Sequence, residues 1–147
     1  MDSSLVYLVQ TDTTVGFSSS NDEKLSVVKQ RPKSKKILHT VDSFKTLQEH
    51  TRVPKKYRKR VRNSKKTTFI YPNKKSFRVI PKENKFYSFI SKFNTLYSTS
   101  ANLTSKNFEM DFALKNCDII VYTKDGFSEK SSSSIYLLTK NKKTKIR

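Results

Sequence analysis

The stretch LVYLVQTDTTVGF, residues 5–17, joins an apolar run to a neutral turn. Leu5 to Val9 predicts a buried strand, because a short apolar run bounded by turn residues is typical of one. Thr11-Asp12-Thr13-Thr14 follows, and then Gly16, one of only two glycines in the chain. No Lys or Arg occurs in the first twenty positions of a chain whose net charge is +19. The turn is therefore an unusual segment that a proposed function has to explain.

The rest of the chain alternates strand and helix patterns. We predict strands over KILHT, TTFIYP, SFRVIP, TLYST, DIIVY (a buried strand) and, as the last strand, SSIYLLT. NKK is the predicted turn between TTFIYP and SFRVIP, and KNKKTKIR is a basic tail. We predict helices over SNDEKLSVVKQRP, FKTLQEH, RVPKKYRKRVRNSKK, ENKFYSFISKFN and FEMDFALKN, with Ser20 or Asn21 and Asp42 or Ser43 as N-caps of the first two. This order predicts one α/β domain, residues 1–147, around an open, twisted, mixed sheet.

The composition favours a thin aromatic core and a polyanionic partner. The hydrophobic fraction is 34%, and ten Phe and seven Tyr compensate in part. With 31 Lys and Arg against 12 Asp and Glu, the chain should associate with RNA, DNA, nucleotides or anionic lipid. The alternative is that the lysines reflect a general compositional bias without a function.

Several classes of protein are disfavoured by what the sequence lacks. Cys117 is the single cysteine, so no intrachain disulfide can form and a reducing compartment fits. The first apolar run is too short for a signal peptide and no run reaches the length of a membrane helix, so we expect a soluble cytoplasmic protein. Two glycines, Gly16 and Gly126, can form neither a P-loop nor a dinucleotide fingerprint.

Four short segments could form a ligand site. In KQRP, Lys29 lies in the predicted last helical turn and Pro32 holds Arg31 extended, so two cations could converge on a phosphate or carboxylate. STSANLTS and TDTT each follow a predicted strand, and they share one sheet edge if those strands are parallel. Arg78 projects to one face of the strand SFRVIP. Helix-dipole compensation, for KQRP, and ordinary turns, for the others, are the structural alternatives.

Residues 52–66 are the most basic segment. Nine of these fifteen residues are cationic, and Val53, Tyr57 and Val61 recur at a spacing that predicts one apolar stripe on a short helix. Such a block predicts contacts with the phosphates of RNA. The candidate RNA-binding residues are Arg52, Lys55, Lys56, Arg58, Lys59, Arg60, Arg62, Lys65 and Lys66.

The remaining reactive side chains favour structural roles. His39 and His50 have no second ligand at metal-site spacing, and we predict no metal site in the protein. Asp12 could act as a general base, but a turn-forming role is favoured. Cys117 is more typical of a small core residue than of a nucleophile.

Taken together, the motifs resemble those of one family. TDTTVGF is similar to its Pro-Thr-Asp/Glu-Thr-x-Tyr-Gly-Leu turn, KQRP to its Lys-x-Arg-Pro, and FRVIP to its Val-Arg-x-Pro. STSANLT resembles its Ser-Thr-Ser-Ala-Asn-x-Ser, TTFIYP the end of its Pro-Gly-Pro-x-Thr strand, SSSSIY its Ser-Thr-Ile segment, and the final IR its Ile-x-Arg close. The chain thus resembles, from about residue 5 to residue 147, the YrdC-like family of threonylcarbamoyl-AMP synthases, also called TsaC.

The resemblance implies a fold and an activity. Family members are cytoplasmic α/β proteins with a concave, positively charged cavity. They combine L-threonine, bicarbonate and ATP into threonylcarbamoyl-AMP and pyrophosphate, and a threonylcarbamoyl-transfer complex passes the group to adenosine 37 of tRNA. Some members were described as binding double-stranded RNA, so a non-catalytic RNA- or tRNA-binding relative and an inactive paralogue are the alternatives to a synthase.

The resemblance also implies roles for individual residues. Thr11 would contact threonine, and Arg78 would pair with the threonine carboxylate or a phosphate. ATP, as its Mg²⁺ complex, would be held by Lys29, Arg31, Thr68, Ser100, Asn102, Ser133 and Arg147, and catalysis would rest on Lys29, Arg31, Ser100 and Asn102. The chain departs from the family pattern at Gln10 and Val15, at Ser64-Lys65-Lys66-Thr67 in place of Pro-Gly-Pro before Thr68, and at Ser105.

Overall fold

The computed structural model describes residues 1–147 and contains one nine-stranded sheet. Its strands are β1 (Tyr7–Gln10), β2 (Val15–Ser19), β3 (Leu38–Val41), β4 (Thr67–Ile70), β5 (Ser76–Val79), β6 (Thr95–Ser100), β7 (Ile119–Ile120), β8 (Ser134–Leu138) and β9 (Lys143–Lys145). Their order in the sheet is β7-β1-β2-β6-β3-β5-β4-β8-β9. Three neighbouring pairs are parallel, β1–β7, β3–β5 and β4–β8, and the others are antiparallel. The predicted α/β class and open mixed sheet are confirmed.

Short helices connect the strands. They are α1 (Asp22–Val28), α2 (Phe44–His50), α3 (Arg58–Arg62), α4 (Tyr87–Ile90) and α5 (Met110–Lys115), and a 3₁₀ turn, Lys55–Tyr57, leads into α3. Of the alternatives for the caps, Asn21 accepts the N–H of Lys24 and Ser43 accepts the N–H of Thr46. These side chains satisfy backbone donors that a helix start otherwise leaves free. No helix is long and apolar enough to cross a membrane.

One strand is absent from the sequence prediction, and three predicted elements need correction. β2 was not predicted, because Gly and Ser are rare in strands; its five residues are all buried between β1 and β6. β9 forms in the predicted basic tail, so SSIYLLT is not the last strand. DIIVY contributes only β7 at the sheet edge, where Ile119 and Tyr122 are exposed. The helix predicted over residues 83–94 is α-helical only at α4, with hydrogen-bonded turns before and after it.

The core is aromatic and divides into three clusters around the sheet. The largest packs Val53, Tyr57 and Val61, the predicted apolar stripe of α3 and its approach, against Phe69 and Phe77 on β4 and β5. A second cluster joins α1 and α5 to β1 and β2, and a third packs the α4 region on β1 and β6. Phe86, Phe89 and Ile90 are buried in the third cluster and Phe93 packs against it, as the spacing of these side chains predicts.

The sheet topology brings two predicted segments to the same edge. β1 and β6 both run antiparallel to β2, so they run parallel to each other. Their carboxyl ends, which carry Thr11–Thr14 and Ala101–Asn102, therefore lie on one side of the sheet. This placement confirms the condition under which TDTT and STSAN would form one site.

Candidate functional site

A concave cavity of about 590 Å³ opens on this side of the sheet. Most of its lining side chains carry hydroxyl groups or positive charge, and only six of the 25 are hydrophobic. Nearly all of the residues that the sequence predicts for a ligand site line it: Thr11, Arg31, Thr68, Arg78, Ser100, Asn102, Ser133 and Arg147. Residues from seven separate segments of the chain are thus brought together at one cavity.

The opening turn is a hairpin turn stabilised by Thr11. Its backbone N–H donates to the carbonyl of Thr14 at 3.1 Å, and its hydroxyl donates to the same carbonyl. That hydroxyl also accepts the N–H groups of Thr13 and Thr14 at 3.2 and 3.3 Å. The turn is therefore fixed by local hydrogen bonds, and Thr13 and Thr14 join Thr11 in the cavity wall.

The space around position 16 leaves no room for a side chain larger than that of glycine. A Cβ at this position would lie 2.8 Å from the carbonyl oxygen of Thr99 and 3.0 Å from Cγ2 of Thr11. The glycine therefore lets β2 lie close to β6 at the point where the cavity begins, which is one of the established uses of glycine. This close approach explains why position 16 is a glycine in a chain that has only two glycines.

Arg78 and Asp12 form a buried ion pair beneath the turn. Nη1 of Arg78 donates to Oδ1 of Asp12 at 2.8 Å, and both side chains are more than 90% buried. Nη1 also donates to the Thr13 hydroxyl, Nε to the Thr68 hydroxyl at 3.1 Å, and Nη2 to the Ser133 hydroxyl at 3.0 Å. Asp12 is therefore the counter-ion of a buried arginine and not only a turn residue. The carboxylate of Asp12 already pairs with the guanidinium of Arg78. Whether Arg78 also contacts a substrate stays a prediction.

Lys29 holds the loop after β6. It is the C-cap of α1, is 2% exposed, and its Nζ donates to the carbonyl of Ser100 at 3.0 Å, to Oδ1 of Asn102 at 3.1 Å and to the carbonyl of Asn102. Burial, together with the smaller effect of the Arg31 and Lys35 charges, lowers the pKa of this ammonium to about 8. Unlike Ser100 and Asn102, Lys29 is not part of the cavity lining. It positions the two predicted loop residues, and a direct contact with ATP stays a prediction.

Arg31 reaches the cavity two residues later. Gln30 adopts a left-handed conformation, with φ +52°, and the N–H of Arg31 donates to the carbonyl of Ser26, so α1 ends here. The buried Nε of Arg31 has no hydrogen-bond partner, and Arg31 lines the cavity with Lys35 and Lys36. Sequence reasoning missed these two lysines, although they follow KQRP directly in the run KSKK.

A β-bulge after β9 directs the side chain of Arg147 into the cavity. The N–H groups of Ile146 and Arg147 both donate to the carbonyl of Ile135, at 2.8 and 3.2 Å, so one residue of β8 faces two residues of the last segment. This shift directs Arg147 to Ser133, whose carbonyl accepts its Nε at 3.0 Å. The Ser133 hydroxyl in turn lies 3.0 Å from that of Thr68. The predicted pair Thr68 and Ser133 thus forms one polar network with Arg78 and Arg147.

Sequence reasoning also missed the segment that carries Glu129 and Lys130 into the cavity wall. Gln10, at the position where the family resemblance has proline, accepts the N–H of Ser128 at 2.8 Å, and Glu129 accepts the N–H of Phe108 at 2.7 Å. Glu129 is the one acidic residue among those that line the cavity. These contacts join residues 118 and 21 positions apart, so no local pattern could have indicated them.

The other reactive side chains lie elsewhere. His39 lies between the rings of Phe77 and Tyr97, with centroids 4.5 and 4.3 Å away, and burial lowers its pKa to about 4. Burial raises the pKa of the Cys117 thiol, which is partly buried beside the second core cluster. No group of three or more His, Cys, Asp or Glu side chains could hold a metal ion.

The basic block lies away from the cavity. None of its nine cationic residues lines the cavity, and Arg58 and Lys66 are partly buried while the others are exposed. Whether they contact RNA stays a prediction.

Comparisons with known proteins establish the fold. No protein-family model and no curated protein matches the sequence. Solved structures do match: P. abyssi Sua5 complexed with L-threonine, with a TM-score of 0.80 at 14% identity, and E. coli YciO, with 0.77 at 17%. The chain has the YrdC-like fold.

The structural matches cover nearly all of this chain but only part of each matched protein. The matches to Sua5 and YciO cover 98% of this chain, and they cover 50% of the Sua5 chain and 82% of the YciO chain. Full-length HypF, solved in a phosphate- and nucleotide-bound form, matches with a TM-score of 0.74 at 12% identity over 27% of its length. The chain thus spans about half the length of Sua5 and about a quarter of the length of HypF.

Proposed function

We propose that this YrdC-like protein makes threonylcarbamoyl-AMP from L-threonine, bicarbonate and ATP. The observation that carries the proposal is the mixed lining of the cavity. Its wall combines the neutral hairpin turn Thr11–Thr14 with the cations Arg31, Lys35, Lys36 and Arg147. A small zwitterion suits the turn, and a triphosphate suits the cations. Sua5 in complex with L-threonine and HypF in a nucleotide-bound form share the fold, which supports this assignment.

In the proposed complex, threonine contacts the turn at Thr11. The triphosphate lies against Arg31, whose Nε has no partner within the chain, and Arg147 closes over it from the end of the chain. Ser100 and Asn102 bind the nucleotide from a loop that Lys29 holds in place, and Thr68 and Ser133 complete the ATP site beside Arg78. Mg²⁺ would be held by the phosphate oxygens and water, as is usual for this ion.

The chemistry then needs positioning and charge neutralisation. The neutral amine of threonine attacks the carbon of bicarbonate, and loss of water leaves a carbamate. A carbamate oxygen attacks the α-phosphorus of ATP, the bond to the β-phosphate oxygen breaks, and pyrophosphate leaves. Negative charge develops on the phosphoryl oxygens during this step, and cations already in place stabilise it. The product would be consumed by a transfer complex that modifies adenosine 37 of tRNA.

Release of pyrophosphate from ATP tests the proposal. We expect release only when threonine and bicarbonate are both present. Arg31→Ala should lower the rate by about 10²–10³-fold, which is typical of the loss of one group that stabilises transition-state charge. Arg52→Ala is the matched control, because Arg52 is exposed in the basic block outside the cavity. The control should retain the wild-type rate.

Genetic complementation gives an independent test. The chain should restore growth and the tRNA modification to a strain that lacks its threonylcarbamoyl-AMP synthase, and the Arg31→Ala variant should not. A purified chain that binds neither ATP nor threonine would overturn the proposal, and so would equal pyrophosphate release without threonine.

A further inference from the structure

One connection of the chain crosses most of the sheet along the cavity. β7 lies at one edge of the sheet, and β8, the next strand in the chain, is one strand away from the opposite edge. The residues between them, 121–133, contain no helix or strand. Four of these residues line the cavity: Glu129, Lys130, Ser132 and Ser133. We call residues 127–133 the strap.

The backbone of the strap is not held by other backbone groups. No backbone–backbone hydrogen bond involves residues 127–133. Other loops of the cavity wall do have such bonds, for example from the N–H of Thr11 to the carbonyl of Thr14 and from the N–H of Lys35 to the carbonyl of Pro32. Segments without backbone hydrogen bonds open at a low cost in free energy. The strap is therefore a wall of the cavity that can move while the sheet stays intact.

Side-chain hydrogen bonds hold the first half of the strap. Oε1 of Gln10, at the end of β1, accepts the N–H of Ser128 at 2.8 Å. Oε1 of Glu129 accepts the N–H of Phe108, in the loop after β6, at 2.7 Å. These two bonds are the only ones that connect this half to the other elements around the cavity, and each depends on one side chain. A single substitution can therefore remove either of them.

The strap is anchored at its last residue and exposed before it. Ser133 is 2% exposed, and its hydroxyl accepts Nη2 of Arg78 at 3.0 Å. Residues 128–132 are exposed. A further bond, from Nζ of Lys66 to the hydroxyl of Ser131 at 2.7 Å, lies at the surface. Ser133 would therefore stay in place when the strap opens, and residues 128–132 would move.

The strap brings one negative and one positive side chain to the cavity. Glu129 is the one acidic residue of the lining, and Lys130 follows it. Neither side chain belongs to an ion pair of the chain. The ammonium of Lys130 is thus free to bind phosphate oxygens, which lysine does as a compact charge. The carboxylate of Glu129 would repel the same phosphates, and its bond to the N–H of Phe108 keeps it at the wall.

We propose that the strap is the movable wall of the cavity, which opens to admit a polyphosphate and closes to bring Lys130 onto its phosphates. Gln10 and Glu129 are then positioning residues that hold the closed strap. The ligand class rests on the proposed function, in which ATP supplies the phosphates. Gln10 stands where the family resemblance has proline, and a proline side chain offers no hydrogen-bond acceptor. This fastening therefore belongs to the chain itself and not to the family pattern.

Hydrogen exchange followed by mass spectrometry tests the movement. In the free chain, the amides of the strap should exchange faster than those of β1 and β6. Saturating ATP, and inorganic tripolyphosphate as a probe without base or sugar, should each slow exchange in the strap by about fivefold or more. Glu129→Gln keeps an acceptor for the N–H of Phe108 and should keep this protection. Glu129→Ala and Gln10→Leu should lose most of it.

Isothermal titration with tripolyphosphate tests the contact. Lys130→Gln should bind about tenfold more weakly, the scale of one hydrogen bond to a charged group. Lys124→Gln is the matched control, because Lys124 is an exposed lysine of the same connection outside the lining, and it should bind like wild type. Glu129→Gln should bind more tightly than wild type, since it removes the repelling charge, whereas Glu129→Ala should bind more weakly. Circular dichroism checks that each variant is folded.

The outcomes separate this inference from the proposed function. Ligand binding that leaves exchange in the strap unchanged would overturn the inference alone, as would equal losses of affinity in Lys124→Gln and Lys130→Gln. Equal behaviour of Glu129→Gln and Glu129→Ala in both measurements would show that the acceptor does not fasten the strap, which also overturns it. A chain that binds neither ATP nor tripolyphosphate would overturn both proposals.

Discussion

The two faces of the central strands differ in the hydrogen-bond partners that they give to polar side chains. On the cavity face, Arg78 of β5 lies among Asp12, Thr68 and Ser133 and has hydrogen-bond partners for all three guanidinium nitrogens. On the other face, His39 of β3 lies between the rings of Phe77 and Tyr97, and its one polar contact is at 3.3 Å, to the Ser76 carbonyl. Burial lowers the pKa of His39 to about 4.

This difference shows what a buried ionisable group needs in order to stay charged. Burial alone disfavours the charged form, and an opposite charge with good hydrogen bonds restores it. The cavity face has been supplied with such partners, and the aromatic face has not. The cavity face therefore holds a buried arginine within a polar network, whereas the aromatic face contributes packing.

Loss of Arg78 should have the largest effect. In Arg78→Met the carboxylate of Asp12 stays buried without its partner, and we expect the free energy of unfolding to fall by about 3–5 kcal/mol, a large part of the stability of a small domain. Urea unfolding followed by circular dichroism measures the change. The variant should also lose threonine and ATP binding, because the Thr68–Ser133 network rests on the guanidinium.

A double-mutant cycle sharpens that measurement. Asp12→Asn/Arg78→Met should be less destabilised than the sum of the two single variants, because the double variant no longer buries an unpaired charge. Arg52→Met, at an exposed position before the 3₁₀ turn, is the control and should unfold like wild type. Additive effects of the Asp12 and Arg78 changes would show that the pair does not act as a unit.

His39 should make stability depend on pH. Its pKa is about 4 in the folded chain and about 6.5 when unfolded, so between these values the unfolded state binds the extra proton. The free energy of unfolding should therefore fall as the pH drops from 6.5 to 4, by roughly 3 kcal/mol at most. His39→Phe keeps the stacking and removes the proton site, so the difference between the two proteins isolates this term. Parallel pH profiles of the two proteins would contradict the expectation.

The sequence predicts the local elements and the positions of the motifs. It does not predict the long-range contacts that determine what each residue of the cavity does. The strand predicted over Leu5–Val9 forms as β1, Tyr7–Gln10, and of the two predicted caps Asn21 is the one used; both are local signals. The pairing of Asp12 with Arg78 spans 66 residues, and the turn of Arg147 into the cavity depends on a bulge opposite Ile135. β2 was missed because its burial comes from two neighbouring strands and not from its own Gly and Ser residues.

Gly16 gives the smallest expected effect and the most local test of the cavity wall. In Gly16→Ala the new methyl group meets a backbone oxygen, Thr99 O, at 2.8 Å, which can move only with its strand. We expect a loss of about 1–3 kcal/mol, the usual cost of overpacking, and weaker threonine binding because Thr11 lies on the other side of the methyl group. Gly126→Asn is the control. Gly126 has φ +67° and open space around it, and Asn tolerates that conformation, so this variant should stay near wild type in both measurements. If Gly16→Ala were as well tolerated as the control, β2 and β6 could separate without loss, and the cavity wall would be less rigid than the contacts of Thr11 indicate.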